Sequence, residues 1–340
     1  MNLNKAYFAL IIMLLPFFSQ AQERGIPVYS DYLTDNLYLL HPSMAGTANA
    51  NKIRLTARQQ WFDVDEAPSL QTLSINGSLT DNIGVGAILF NDQNGRFSEQ
   101  GAYLTFAYQL KFAGGDDLNM LSFGLNAGVG QEKVDMTDLV GGTNPGDPSI
   151  PGGVQSDAYF NVDFGLSYFY YEFFAHFTVK NIIPQSRDIF FADDDTDELT
   201  NQRQYVGSLG YVIAPFGSKW SYIPSVMVHM KDRTQETNFD INFKVFREFD
   251  FGALWGGLSY RRSLDGAEFT EDGTSVENQK LQYITPFLGI NYNQFMFAYT
   301  YSYQANSIVL SNSGFHQITL GYNFGGTGER FECNCPAVNF

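Results

Sequence analysis

Few side chains in this sequence are of the kinds that do chemistry, and their spacing narrows what they can do. There are four histidines, at 41, 176, 229 and 316, and two cysteines, Cys333 and Cys335. No two histidines stand close enough along the chain to form a ready-made metal or acid–base pair. Two cysteines are too few for a tetrahedral zinc site, and a C-x-C bridge would be a tight, strained loop. No G-x-S-x-G element presents a serine nucleophile. Asp193-Asp-Asp-Thr-Asp-Glu198 clusters carboxylates, which hard cations favour, so Ca²⁺ is one reading. The run lacks the glycine and spacing of an EF-hand loop, and a solvated acidic loop is the better reading. The glycines at 84, 86, 124, 128 and 130 lie in alternating stretches with no helix behind them, which argues against a phosphate cradle. An enzyme is therefore the weakest reading, and no catalytic residue, metal or cofactor is assigned.

The elements that must position these residues follow from composition and period. The chain has 340 residues, 20 Lys+Arg against 36 Asp+Glu, and a net charge of −16. Charged residues make up only 16% and aromatics an equal 16%, with 32 glycines. That many rings with so little charge excludes a disordered chain, and no basic stripe exists for nucleic acid. Met1–Gln22 carries Lys5, an apolar run from Ala6 to Phe18, and the small-x-small sequence Ser19-Gln20-Ala21. The run is shorter than the ~20 residues of a spanning helix and reads as a removed secretory signal. Beyond it no apolar run approaches a helical span, so a closed β-barrel is the one membrane route left.

A period of two runs through most of the remaining chain. Phe160, Val162, Phe164, Leu166, Tyr168 and Tyr170 alternate with Asn161, Asp163, Gly165 and Ser167. Phe239, Ile241, Phe243 and Val245 alternate with Asn238, Asp240, Asn242 and Lys244, and Leu121 to Val129 behaves likewise. Each stretch therefore has an apolar face and a polar, small-residue face. Fourteen such stretches are predicted, at 51–60, 69–79, 82–90, 98–112, 118–131, 157–170, 171–181, 203–215, 219–230, 234–247, 249–260, 278–292, 295–303 and 313–324. Each has about the 9–11 residues of a tilted membrane strand, and an even number puts both barrel ends of the chain on one side.

Connection lengths alternate as well. Turns near Thr80-Asp81, Ala113 to Asp117, Tyr170-Tyr171, Phe216 to Ser218, Glu248 and Asn293-Gln294 are short, as periplasmic turns are. The other side is predicted to carry three long outer segments, Glu132–Ser156, Ile182–Gln202 and Arg261–Glu277, the first including the Gly/Pro-rich loop Gly141–Gly153. Aromatic residues flank the short turns: Phe112, Tyr168 to Phe174, Phe216 with Trp220, Phe246 to Phe251, Tyr292 with Phe295, and Tyr322 with Phe324. Such rings favour the lipid–water boundary. Pro224 and Pro286 fall inside predicted strands, where each removes a ladder donor, so bulges or strand ends are expected there. Strand parity turns His176 and His229 toward the lumen as solvated side chains.

Two motifs near the amino terminus resemble a known family. Tyr29-Ser-Asp-Tyr32 leading to Leu40-His-Pro-Ser-Met-Ala-Gly46 is similar to the Tyr-rich stretch and Asn-Pro-Ala-x-Ala-Gly motif of the PorP/SprF family of type IX secretion membrane proteins, with His41 and Ser43 where the family usually has Asn and Ala. Gln59-Gln60-Trp61, Ser69-Leu-Gln-Thr-Leu-Ser74 and Phe90-Asn-Asp-Gln-Asn-Gly95 followed by Ser98-Glu-Gln-Gly101 resemble it too. The likeness is motif-like over 26–112 and architectural from there to Phe324. It implies an all-β transmembrane antiparallel barrel in the outer membrane of Bacteroidota-type Gram-negative bacteria, serving type IX secretion and gliding motility. It also implies a partner, a secreted cell-surface adhesin with a type IX carboxy-terminal sorting domain, and contact with secretion or gliding components.

The expected organisation is a signal at 1–22, a periplasmic or lumenal lead-in at 23–50, a barrel of about 14 strands at 51–324, and a periplasmic tail at 325–340. Candidate partner-binding residues are Trp61, Phe62, Phe190 and Phe191, apolar side chains in exposed connections, and Cys333 and Cys335 of the tail. The same four rings would equally suit loops folded back over the barrel mouth. For the cysteines an intermolecular disulfide stands beside an internal pair or inert thiols. The expected role is binding a surface adhesin; a channel or transporter for small solutes or lipids is the alternative, its lumen lined by Asn126, Asp163, Asp240, Asn242 and Lys244.

Overall fold

The computed structural model describes residues 25–60, 67–112, 118–137, 153–184, 202–270, 276–305 and 314–325. The signal segment, Trp61, Phe62, Phe190, Phe191, the acidic run 193–198, Cys333 and Cys335 lie outside the described residues, as does most of the Gly/Pro-rich loop. Fourteen antiparallel strands close on themselves: β1 Asn51–Gln60, β2 Ser69–Ser78, β3 Ile83–Asn94, β4 Phe97–Lys111, β5 Asn119–Asp135, β6 Val154–Tyr170 and β7 Phe173–Lys180. They continue as β8 Gln204–Tyr211, β9 Trp220–Lys231, β10 Thr237–Phe249, β11 Gly252–Thr270, β12 Val276–Tyr292, β13 Phe295–Gln304 and β14 Phe315–Phe324. Each strand pairs with its sequence neighbours, and the seam between β1 and β14 runs unbroken from Asn51 opposite Phe324 to Gln60 opposite Phe315. No edge remains, so every strand has a partner on both sides, as hydrocarbon demands.

Alternation sorts the two faces as the period-two reading expects. Lys52, Arg54, Thr56 and Arg58 of β1 and Asn161, Asp163 and Ser167 of β6 point inward and are buried. Leu55, Leu73, Leu104, Phe160, Phe243 and Leu288 stay exposed on the outside, where lipid and not water must meet them. At the end carrying the short turns, Phe112, Tyr170, Tyr171, Trp220, Tyr292, Phe295 and Tyr322 form the exposed aromatic rim. Three rings expected there do not belong to it. Phe169, Phe174 and Phe246 occupy lumen parity and are buried inside the barrel.

Three local expectations need correction. The predicted outer segment at 261–277 is mostly strand: β11 and β12 pair out to Thr270 opposite Val276, leaving 271–275 between them. Loop asymmetry therefore rests mainly on the connections 136–153 and 181–203. The prolines cause neither bulge nor strand end in their own strands. Pro224 pairs with Phe243 in an unbroken ladder, and Pro286 with Leu258 within the continuous stretch from Gly252–Tyr292 to Arg262–Gln282. Only the opposite ladder skips, beyond Gly210–Ser225 beside Pro224 and between Ile284–Tyr303 and Phe287–Thr300 beside Pro286. A strand residue donates to one neighbour, so a missing N–H disturbs one ladder alone. The register shift that does occur lies in β11, between Arg262 and Gly266.

Candidate functional site in the barrel lumen

The lumen is occupied by the chain's own residues 25–50. This lead-in makes three short 3-10 turns, Asp31–Thr34, Leu37–Leu39 and Pro42–Met44, and most of its described side chains are buried. Gly25 N–H donates to Glu99 Oε1 (2.6 Å) close to the long-loop end of β4. Gly46 reaches Ser78 and Asn76 at the opposite end, where Ser78 Oγ donates to its carbonyl (2.9 Å). The segment thus runs the height of the barrel before entering β1.

The half nearest the short turns is closed by shape. A Cβ on Gly124 would come within 2.2 Å of Ser43 N, and one on Gly84 within 2.0 Å of the Ala45 carbonyl oxygen, so only glycine admits the lead-in at these points. Ser43 Oγ meets Ser167 Oγ (2.7 Å), and Ser122 Oγ donates to the Ser43 carbonyl (2.6 Å). Tyr38 meets Thr105 (2.5 Å), while Tyr38, Leu39, Met44 and Ala45 pack on Ile88, Met120, Phe169 and Phe174. His41 bonds Thr178 through Nδ1 (2.8 Å) and stacks on His176 at 4.9 Å.

The half nearest the long loops is held by charge around a cavity of about 590 Å³. Arg261 grips Asp240 through Nε and Nη2 (both 2.8 Å) and donates to the Val28 carbonyl (2.9 Å). Tyr32 O–H donates to Asp240 Oδ2 (2.6 Å). Lys180 donates to the Ile26 carbonyl. The Arg58 guanidinium lies between the rings of Tyr29 (3.6 Å) and Phe315 (3.9 Å). His229, Asp92 and Lys231 also line this cavity.

The lumen residues read from parity are where the pattern put them, but most are packed against protein. Asn126, Asp163, Asn242 and His176 are buried against the lead-in or the neighbouring wall, and Asp240 and His229, also buried, border the cavity. His229 bonds Gln204 (2.8 Å) and His316 bonds the Tyr299 hydroxyl (2.7 Å). Among the described residues no three His, Cys, Asp or Glu side chains converge as metal ligands. The sequence reading gives 23–50 as a periplasmic or lumenal lead-in and does not single out Tyr32, Asp35, Tyr38, His41 and Ser43 as its contacts with the wall. A signal for them exists: β3 and β5 place Gly84, Gly86, Gly124 and Gly128 on the lumen face, more empty space than a wall needs unless something fills it.

A closed ring of strands, lipid-facing outside and filled by its own amino-terminal segment, defines a multi-pass outer-membrane β-barrel. The chain belongs to the PorP/SprF family: the model described as type IX secretion system membrane protein PorP/SprF matches residues 21–322. No curated protein matches the sequence. Among solved structures it is similar to a deletion mutant of the TodX monoaromatic hydrocarbon channel, at 10% identity and a TM-score of 0.48, covering 81% of this chain and 91% of that one. It is similar also to Salmonella typhi OmpF in complex with daunomycin (9% identity, TM-score 0.37, 81% and 96% covered). A third is CdiB from Acinetobacter baumannii (6% identity, TM-score 0.36, 81% covered), of whose chain it spans 60%.

Proposed function

We propose that this barrel is a non-enzymatic holding component of the type IX secretion and gliding apparatus, which retains a secreted surface adhesin through the adhesin's carboxy-terminal sorting domain. The observation that carries the reading is the lead-in packed through the lumen. A bore closed by shape in one half is poorly suited to conduction, which leaves the two ends as working surfaces. Family membership supplies the secretion context. In this reading the long-loop end faces outward and meets the adhesin, with Trp61, Phe62, Phe190 and Phe191 as apolar contacts. The short-turn end and the tail with Cys333 and Cys335 face periplasmic or outer-membrane machinery.

Co-purification of the tagged barrel from its native envelope tests this. A sorting-domain protein or a machinery component should come with it, and alanine at Phe190 and Phe191 together should reduce the adhesin's recovery. Recovery of neither class overturns the proposal. The cavity of about 590 Å³ favours the solute-channel alternative as far as one half of the lumen goes. Steady conductance of the wild-type barrel in planar bilayers would put that reading first.

A further inference from the structure

Positive charge is in excess where the lead-in meets the start of β1. Asp35 accepts from Lys52 Nζ (3.1 Å) and Arg54 Nη2 (2.9 Å), whose side chains are 8% and 1% exposed. Lys244 lies over the Trp255 ring at 4.0 Å. Lys52 and Arg54 thus share one carboxylate inside the barrel, a costly arrangement without a further counter-charge.

Two buried donors point to where that counter-charge sits. Arg54 spends Nη1 on the Ile53 carbonyl and Nη2 on Asp35, but its Nε has no hydrogen-bond partner among the described residues. Asn36 accepts from Ser74 through Oδ1, and its Nδ2 has no partner among them either. Asn36 and Arg54 are 2% and 1% exposed, and both line one small cavity together with Asp35 and Lys52. Unsatisfied buried donors of this kind need an explanation. The cavity measures about 20 Å³, above the ~10–15 Å³ that one water-sized particle requires and too small for a phosphate or a carboxylate group. A water would accept from both donors but must then aim its own hydrogens into a cationic site. A monatomic anion only accepts.

We propose that this cavity binds one chloride ion, which pins the lead-in to β1. The site is independent of the proposed adhesin role. It joins Asn36 of the lead-in to Arg54 of the wall, so occupancy strengthens the seating of the lead-in and hence the folded barrel.

The test uses the full-length barrel in detergent. Unfolding midpoints are compared in sodium chloride, sodium bromide and sodium gluconate at equal ionic strength, and a crystal grown in bromide is examined for anomalous scattering. Chloride and bromide should raise the midpoint by a few degrees and saturate, gluconate should not, and a bromide peak should lie within hydrogen-bond reach of Arg54 Nε and Asn36 Nδ2. Asn36→Asp supplies a fixed carboxylate in place of the ion. It should remove both the halide dependence and the bromide peak while keeping the midpoint in gluconate at least as high as that of the wild type. Equal wild-type midpoints in chloride and gluconate, or density for water alone, would overturn the site. So would a halide effect that survives in Asn36→Asp. If that variant fails to fold, the bromide map of the wild-type protein decides by itself.

Discussion

The two halves of the lumen hold the same strand of lead-in by different means. Near the short turns the wall is cut to shape: small residues such as Gly84 and Gly124 admit Ala45 and Ser43, the contact is extensive, and the Asp35 ion pairs with Lys52 and Arg54 add to it at the start of β1. Near the long loops the contact is sparse and charge-based, with Arg261, Asp240 and Tyr32 doing the holding beside open volume. Shape spreads its stabilisation over many small contacts, whereas a charge clamp concentrates it in one pair. The first half therefore reads as permanent closure, and the second as the place where the interior stays adaptable.

That contrast can be broken from either side. Asp240→Ala leaves the Arg261 guanidinium with no counter-charge in the clamp, and removal of one partner of a buried pair costs about 3–5 kcal/mol. Chemical unfolding of the refolded barrel should show this as the largest loss in the set, and a loss indistinguishable from zero would refute the clamp. Phe243→Arg, on the lipid face, should cost roughly 2–4 kcal/mol, while Asn242→Ser on the inner face should cost little. Equal losses from the two would mean that the faces are assigned the wrong way round.

Gly124→Val should lower stability by about 1–3 kcal/mol, because a side chain there collides with Ser43. Its distinguishing readout is electrical: an unseated lead-in opens the bore, so the variant should conduct where the wild type does not. The smallest effect belongs to Lys219→Ala. Its ion pair with the fully exposed Asp250 lies outside both halves, and no measurable change is expected.

Much of the barrel could be read directly from residue order, because lipid outside and polar groups inside impose a period of two that short turns do not hide. Phe239 to Val245 carry that pattern without exception, and Phe160 to Tyr170 break it only at Phe169, which turns inward. Extents were less legible. Arg261 to Thr270 carries Arg, Asp, Gly and Glu, which resemble a loop, yet these strands extend past the membrane where no apolar face is required. Pro224 and Pro286 misled for a different reason, since a lost donor was counted against the whole strand although it affects one ladder. The lead-in was least legible. Its turns are three or four residues long, too short for any period to show, and its partners sit far along the chain, as His41 with Thr178 and Thr34 with Thr319 do.

The passage of residues 25–50 through the lumen also couples the interior to the closure of the ring. Tyr38, His41 and Met44 pack into the bore once the lead-in is seated. The lead-in runs directly into β1, the strand that meets β14 at the seam joining the first strand of the ring to the last. Seating the plug and zipping that seam thus draw on the same strand, and a lead-in that fails to seat should slow the final closure.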